Sequence, residues 1–137
     1  MRRLVHISFL LLLLGFALSG CRQSAAERRL VEIDTLIAHG TYDSALTQLR
    51  AIDTTTLSRD ELAYHGLLMA HAAYKAYADS IYLDTTWIAR ARAAYADGGP
   101  YDRHIRTLLY SGCIAEDLGD PLTAMRWFKK NGTRSTT

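Results

Sequence analysis

The sequence has few of the residues that mark catalytic, metal-binding or disulfide-linked proteins. Its 137 residues include two cysteines and two prolines. The cysteines, Cys21 and Cys113, lie far apart, and no Cys/His pair has the short spacing that zinc ligands need. A glycine-rich phosphate loop, a G-x-S-x-G nucleophile turn and an H-E-x-x-H helix are also missing. We therefore expect no enzyme, no metal site and no cofactor.

An excess of charge of one sign is missing too. The chain has 16 basic and 14 acidic residues, and two of the basic ones, Arg2 and Arg3, belong to its first 20 residues. The other 117 residues are formally neutral and show no basic stripe with interleaved aromatic side chains, which excludes the usual signature of nucleic-acid binding. Beyond residue 20 no apolar run reaches the ~20 residues that a membrane-spanning helix needs.

What the chain does have is an apolar N-terminal segment. Arg2 and Arg3 precede an almost wholly apolar run over residues 4–18. A positive start followed by an apolar stretch too short to span a bilayer is typical of a secretion signal. The alternative is a plain N-terminal anchor helix followed by an incidental cysteine. The pattern predicts a signal peptide over residues 1–20.

The end of this segment, Leu18-Ser19-Gly20-Cys21, resembles the lipobox of bacterial lipoproteins. The resemblance implies that Cys21 becomes the N-terminus and carries a diacylglyceryl thioether and an amide-linked acyl chain. Several acyl chains anchor a protein stably, because each buried CH₂ contributes ~0.8 kcal/mol. The expected location is the cell envelope, lipid-anchored. Arg22 in place of an aspartate favours the outer over the inner membrane.

The rest of the chain has a helical pattern, with apolar residues recurring at three- and four-residue spacing. We expect a lipidated tether over residues 21–26, an all-α domain over 27–130 and a disordered tail over 131–137. Six helices are predicted at about 26–39, 42–52, 58–78, 84–97, 101–118 and 120–130. Their boundaries follow from Gly40, the Ser58/Glu61 capping box, Asp84, Gly119 and the Asp120-Pro121 pair.

Internal repetition favours stacked helical hairpins over a simple bundle. The tetratricopeptide repeat is a 34-residue helix–turn–helix in which a small residue and an aromatic four positions later pack together. Similar positions recur three times, as Ala45 with Leu49, Ala91 with Tyr95, and Ala124 with Phe128; Leu108, Ser111, Gly112 and Ala115 match the first helix of the last hairpin. We expect about three antiparallel hairpins forming a TPR-like α-solenoid.

Several longer stretches strengthen this interpretation. They are Tyr42-Asp43-Ser44-Ala45-Leu46, Ile52-Asp53, Leu67-Leu68 through Tyr74-Lys75, and Ile114 through Asp120. Together they resemble a family of bacterial tetratricopeptide-repeat lipoproteins, of which this chain looks like a short or truncated member. The resemblance implies a protein-protein interaction scaffold with a protein or peptide partner. The alternative is a truncated sensory part of a larger envelope regulator, inactive alone.

The repeat consensus also predicts a binding groove. Its positions fall on Arg106, Leu109, Cys113, Glu116 and Asp117; the alternative is that some of these merely pack or face water. For Cys113 the simpler alternative is a small core residue, and for Glu116 and Asp117 a solvated helix end.

The histidines and the last helix complete the expectations. His65 and His71 are six positions apart and do not share a helix face, whereas His39 and His104 are expected near helix ends, solvated or favoured by a C-terminal dipole. The last helix spreads Leu122, Met125, Trp127 and other apolar residues over more than one face. We expect self-association or partner binding there, or marginal stability.

Overall fold

The computed structural model describes residues 23–77 and 84–132, and within these ranges the chain is all-helical. The helices are α1 (Ala25–Ala38), α2 (Tyr42–Arg50), α3 (Arg59–Ala76), α4 (Thr85–Tyr95), α5 (Tyr101–Asp117) and α6 (Pro121–Gly132), with a 3₁₀ turn at Thr54–Thr56. The predicted all-α class is confirmed. The predicted signal peptide, the lipobox residues and Cys21 lie outside the described residues. None of the described helices is long and apolar enough to cross a bilayer.

Short side chains at the helix starts fix the boundaries. Ser58 and Glu61 form the predicted capping box, in which Ser58 N donates to Glu61 Oε2 (2.8 Å) and Glu61 N donates to Ser58 Oγ (3.3 Å). Asp84 and Asp120 accept from backbone N–H groups in the first turns of α4 and α6. Gly40 and Gly119, in the predicted turns, have φ angles of +77° and +78°, which glycine adopts without strain.

Several boundaries differ by one or two residues from the prediction. Ser24 caps α1, which therefore starts at Ala25, inside the predicted tether. The third helix ends at Ala76 because Tyr77 takes a left-handed conformation (φ 48°). The last helix extends to Gly132, into the predicted tail. Helix ends depend on one or two residues, so such shifts do not alter the element order.

The helices form two layers. The first contains α1, α3 and α5, in which α3 contacts both α1 and α5. In the second, α2 packs on α1 and α3, α4 on α3 and α5, and α6 on α5. The residue numbers of contacting pairs increase along both α3 and α5. Tyr64 of α3 contacts Arg103 of α5, and further along both helices Tyr74 contacts Tyr110. The helices α3 and α5 therefore run parallel. On α1, Glu27 and Asp34 meet Arg103 and Arg106 of α5 in the same order, so α1 runs parallel to them as well.

The core consists of two clusters that share α3. Leu30, Ile33, Leu49 and Leu68 belong to the cluster between α1, α2 and α3. Leu67, Ile88, Ala91, Tyr95 and Ile114 belong to the cluster between α3, α4 and α5. Each fully buried leucine or isoleucine contributes ~1.5–3 kcal/mol. Because α3 lies between the two clusters, all its residues from 63 to 70 are buried.

Two glycines allow helices to approach closely. A Cβ on Gly66 of α3 would lie 2.6 Å from the Trp87 carbonyl oxygen of α4. A Cβ on Gly112 of α5 would lie 2.2 Å from the Phe128 ring of α6. The small residues Ala45, Ala91 and Ala124, named by the repeat pattern, are also buried. Small side chains thus set the spacing between the two layers.

Candidate functional site

An ion pair joins the first and fifth helices at the centre of the first layer. Arg106 on α5 donates from Nη1 to Asp34 Oδ2 and from Nη2 to Asp34 Oδ1, both at 2.8 Å, and both side chains are about a fifth exposed. Tyr64 Oη on α3 donates to Asp34 Oδ2 at 2.7 Å. Burial raises the pKa of Asp34, but the hydrogen bonds from Arg106 and Tyr64 outweigh it and leave the pKa below its usual value.

His71 on α3 is the third partner in this network. Its Nδ1 lies 2.9 Å from Arg106 Nη2. A guanidinium has only donors, so His71 Nδ1 accepts and the ring proton is on Nε2. Burial, and then the charge of Arg106, lower the pKa of His71 to about 4. His71 is therefore neutral at pH 7 and acts as an acceptor.

Aromatic rings extend from this network. His71 stacks on Tyr110 of α5 with ring centroids 4.3 Å apart, and Tyr74 of α3 meets Tyr110 edge-on at 5.6 Å. Tyr42, at the start of α2, lies 6.4 Å from His71. Such pairs contribute ~0.5–1.5 kcal/mol beyond their buried area. The row fixes the relative positions of α2, α3 and α5.

A second polar cluster lies where α1, α3 and α5 begin. Arg103 stacks over the Tyr64 ring at 3.6 Å, lies 3.6 Å from a Glu27 carboxylate oxygen and donates to Tyr95 Oη at 3.5 Å. These side chains line a cleft of about 590 Å³, which also includes Pro100. The cleft is mostly polar, and two of its charged side chains, Arg103 and Glu27, are paired with each other.

The five predicted groove residues all lie on α5 but differ in their surroundings. Arg106 is partly buried and already paired with Asp34, whereas Leu109 is 39% exposed and Glu116 and Asp117 face solvent. Cys113 is partly buried, and burial raises the pKa of its thiol above the ordinary value although a hydrogen bond with Tyr74 acts the other way. The Cys113 thiol is therefore protonated at neutral pH and weakly nucleophilic.

Several site residues carry no local signal in the sequence. Asp34, Tyr64, His71 and Arg103 come together only through the packing of three helices. His104 lies near helix ends, as expected, but it is not solvated. It is buried in the first turn of α5, with Nδ1 2.5 Å from the Tyr95 carbonyl oxygen at the end of α4.

Metal binding and similarity to known proteins add no further site. Within residues 23–77 and 84–132 no group of three or more His, Cys, Asp or Glu side chains is placed to hold a metal ion. Comparison with protein-family models, curated proteins and solved structures finds no match.

Proposed function

We propose that the chain is a lipoprotein of the bacterial cell envelope, anchored through Cys21, whose TPR-like helical hairpins form a scaffold for a protein or peptide partner. The layered packing supports this proposal. Parallel α1, α3 and α5 in one layer, with α2, α4 and α6 in the other, is the arrangement that stacked helical hairpins produce. The outer membrane is the proposed location.

The single observation that carries the scaffold proposal is the distribution of burial along α5. Leu108, Ser111 and Gly112, which match the packing positions of the repeat, are buried. Leu109 and Glu116, which match groove positions, are exposed. One helix thus separates a packing face from a surface available to a partner.

The chemistry of that surface suggests what would bind it. Leu109 offers an apolar contact, and the carboxylates of Glu116 and Asp117 follow it along the helix. Apolar contacts flanked by carboxylates suit an extended segment with an apolar side chain and a basic residue. No described group is suited to catalysis, so we propose binding and no reaction.

One observation favours a second candidate function. Leu122 and Met125 on α6 are 69% and 67% exposed. In a repeat array each helical hairpin covers the apolar face of its neighbour. Further helices over this face would make the chain the sensory part of a larger envelope regulator.

Acylation is tested with a fatty-acid analogue in living bacteria. Cys21→Ser should abolish incorporation and processing, whereas Cys113→Ser should leave both unchanged. Undiminished labelling of the Cys21→Ser chain would refute the lipoprotein proposal.

The scaffold is tested by photo-crosslinking in the same cells. A photoreactive residue at Leu109 should give a discrete protein adduct that Glu116→Lys weakens. The matched control is Thr47, which is exposed on α2 in the other layer. The same adducts from both positions would show that the α5 surface has no specific role.

A further inference from the structure

The beginning of α1 is tied to the other two helices of its layer. Ser24 Oγ accepts a hydrogen bond from Glu27 N (2.9 Å) and donates to Glu61 Oε1 of the α3 capping box. Glu27 also lies 3.6 Å from Arg103 on α5. The first turn of α1 is therefore held against the first turns of α3 and α5, and we call these three turns together the anchor end.

The proposed lipid lies close to this end. Cys21 is three residues before Ser24. A fully extended chain advances at most ~3.3–3.6 Å per residue, so three residues span at most about 11 Å. A lipid on Cys21 therefore holds the anchor end beside the bilayer surface, without a long tether that would let the domain turn freely.

We propose that the anchor end rests against the lipid headgroup layer, so that α1, α3 and α5 point away from the membrane. This inference rests on the proposed acylation of Cys21. The occupant of the surface is the bilayer itself.

Two exposed side chains of the anchor end, which lie beside the exposed carboxylates of Asp60 and Asp102, suit a headgroup layer. Tyr101, the first residue of α5, is 75% exposed, and Arg59, the first residue of α3, is exposed as well. Tyrosine favours membrane interfaces because its ring is apolar and its hydroxyl can stay hydrated, and arginine can pair with lipid phosphates. Arg59 lines the cleft at this end together with Pro100 and Arg103, and Tyr101 follows Pro100 in the chain.

The opposite end lies well away from the bilayer in this orientation. The 18 residues of α3 span about 27 Å. Tyr77 follows the last residue of α3, so it lies at the far end of this length from Arg59, and it is 81% exposed. The groove surface on α5 also extends away from the anchor end. Glu116 is 15 residues after Tyr101, which at a rise of 1.5 Å per residue places it about 22 Å further along the helix. The proposed partner surface therefore faces away from the lipid.

Tyr77 and Tyr101 form a matched pair of probes, since both are exposed tyrosines and they lie at opposite ends. A photoreactive phenylalanine analogue replaces one or the other in the full chain, which bacteria process and acylate. The purified protein is reconstituted into phosphatidylethanolamine–phosphatidylglycerol vesicles containing radiolabelled phospholipid. We expect irradiation to label the chain several-fold more from position 101 than from position 77.

A tether variant provides the control. Inserting a flexible Gly/Ser segment of ~20 residues, with a root-mean-square reach of ~25 Å, between Arg22 and Gln23 should remove most of the difference. Mass spectrometry of the same samples separates the two proposals. An acylated chain labelled equally from both positions, or more from position 77, overturns the orientation alone. A chain without acyl groups overturns the lipoprotein proposal and the orientation with it.

Discussion

Arg106 and Asp34, 72 positions apart in the chain, form a bidentate ion pair with two 2.8 Å hydrogen bonds. The Arg106 guanidinium connects all three helices of the first layer. Arg106 is on α5 and binds Asp34 of α1, and its Nη2 also donates to His71 of α3. The predicted groove position of Arg106 is therefore occupied by contacts within the protein, with Asp34 and His71. A partner would therefore contact Leu109 and the carboxylates beyond it, and Arg106 would act as a positioning residue.

The first prediction is that this pair stabilises the fold cooperatively. Arg106→Ala leaves the Asp34 carboxylate half-buried without its cation, and Asp34→Ala leaves the guanidinium likewise. Each change should cost about 3 kcal/mol. The double variant should cost less than the sum of the two, with a coupling energy of about 1–3 kcal/mol. Urea denaturation of a soluble form beginning at Arg22 measures the unfolding free energy of the parent, the two single variants and the double variant.

Arg29→Ala is the matched control for this cycle. Arg29 is exposed on α1, and its removal should change stability by no more than about 0.5 kcal/mol. Strict additivity of the Asp34 and Arg106 effects would mean that the pair does not hold α1 to α5.

How much of this could be predicted from the sequence depends on the range of each signal. The Ser58/Glu61 box, the Asp84 and Asp120 caps and the turn at Gly40 involve residues within three or four positions of each other, so the sequence predicts them directly. The fold class and the helix order follow from such signals together with apolar periodicity.

The candidate site depends on long-range packing instead. Nothing near Arg106 in the sequence indicates that Asp34 will meet it, because the contact exists only once α1, α3 and α5 lie side by side. The repeat consensus placed Arg106 in a groove by its position along α5, but the consensus contains no information about the residue opposite. The burial of His104 is missed for the same reason, because the carbonyl that it contacts belongs to another helix.

The second prediction concerns acid. The pKa of His71 is about 4 in the folded chain and near 6.5 when unfolded, because burial and Arg106 disfavour its charged form. Between pH 6.5 and 4 the unfolded chain therefore binds a proton that the folded chain does not, and stability falls as pH falls. The loss attributable to His71 approaches ~3 kcal/mol at pH 4. His65, whose pKa burial also lowers, acts in the same direction.

His71→Gln isolates this contribution, since glutamine can still accept from Arg106 but does not titrate. Its unfolding free energy should depend less on pH between 6.5 and 4 than that of the parent chain. His39→Gln, the same substitution on an exposed side chain after α1, is the matched control. Identical pH profiles for His71→Gln and the parent would contradict the assignment.

The third prediction concerns the glycines at helix contacts. Gly66→Ala and Gly112→Ala should each destabilise by ~1–3 kcal/mol through overpacking, more than the up to ~1 kcal/mol that alanine gains over glycine in a helix. Phe128→Leu should partly rescue Gly112→Ala, because the obstacle there is a side chain. No such rescue is expected for Gly66→Ala, because the new methyl group contacts the backbone carbonyl of Trp87, which a shorter side chain leaves in place.

Gly132→Ala is the control for the glycine series, because a Cβ there meets nothing within 4 Å. Its effect on thermal stability should stay within about 0.5 kcal/mol. If alanine were tolerated equally at Gly66, Gly112 and Gly132, the two layers could move apart at these contacts without a loss of stability.

The last prediction concerns the outer face of α6. Its other face packs on α5 through Ala124 and Phe128, and Trp127 is half-buried between the cations of Arg92 (5.4 Å) and Lys130 (5.8 Å). Leu122 and Met125, three positions apart and therefore on one side of the helix, are both about two-thirds exposed. We expect the soluble form beginning at Arg22 to self-associate through this side as its concentration rises.

Sedimentation over a wide concentration range measures this association, and two kinds of variant separate surface from core. Leu122→Lys with Met125→Lys should shift the protein to monomer without lowering its melting temperature, because the two side chains bury little in the folded chain. Trp127→Lys should lower the melting temperature as well, since it removes a half-buried ring and places a third cation beside Arg92 and Lys130. A parent chain that stays monomeric at high concentration would show that this apolar side drives no association in solution.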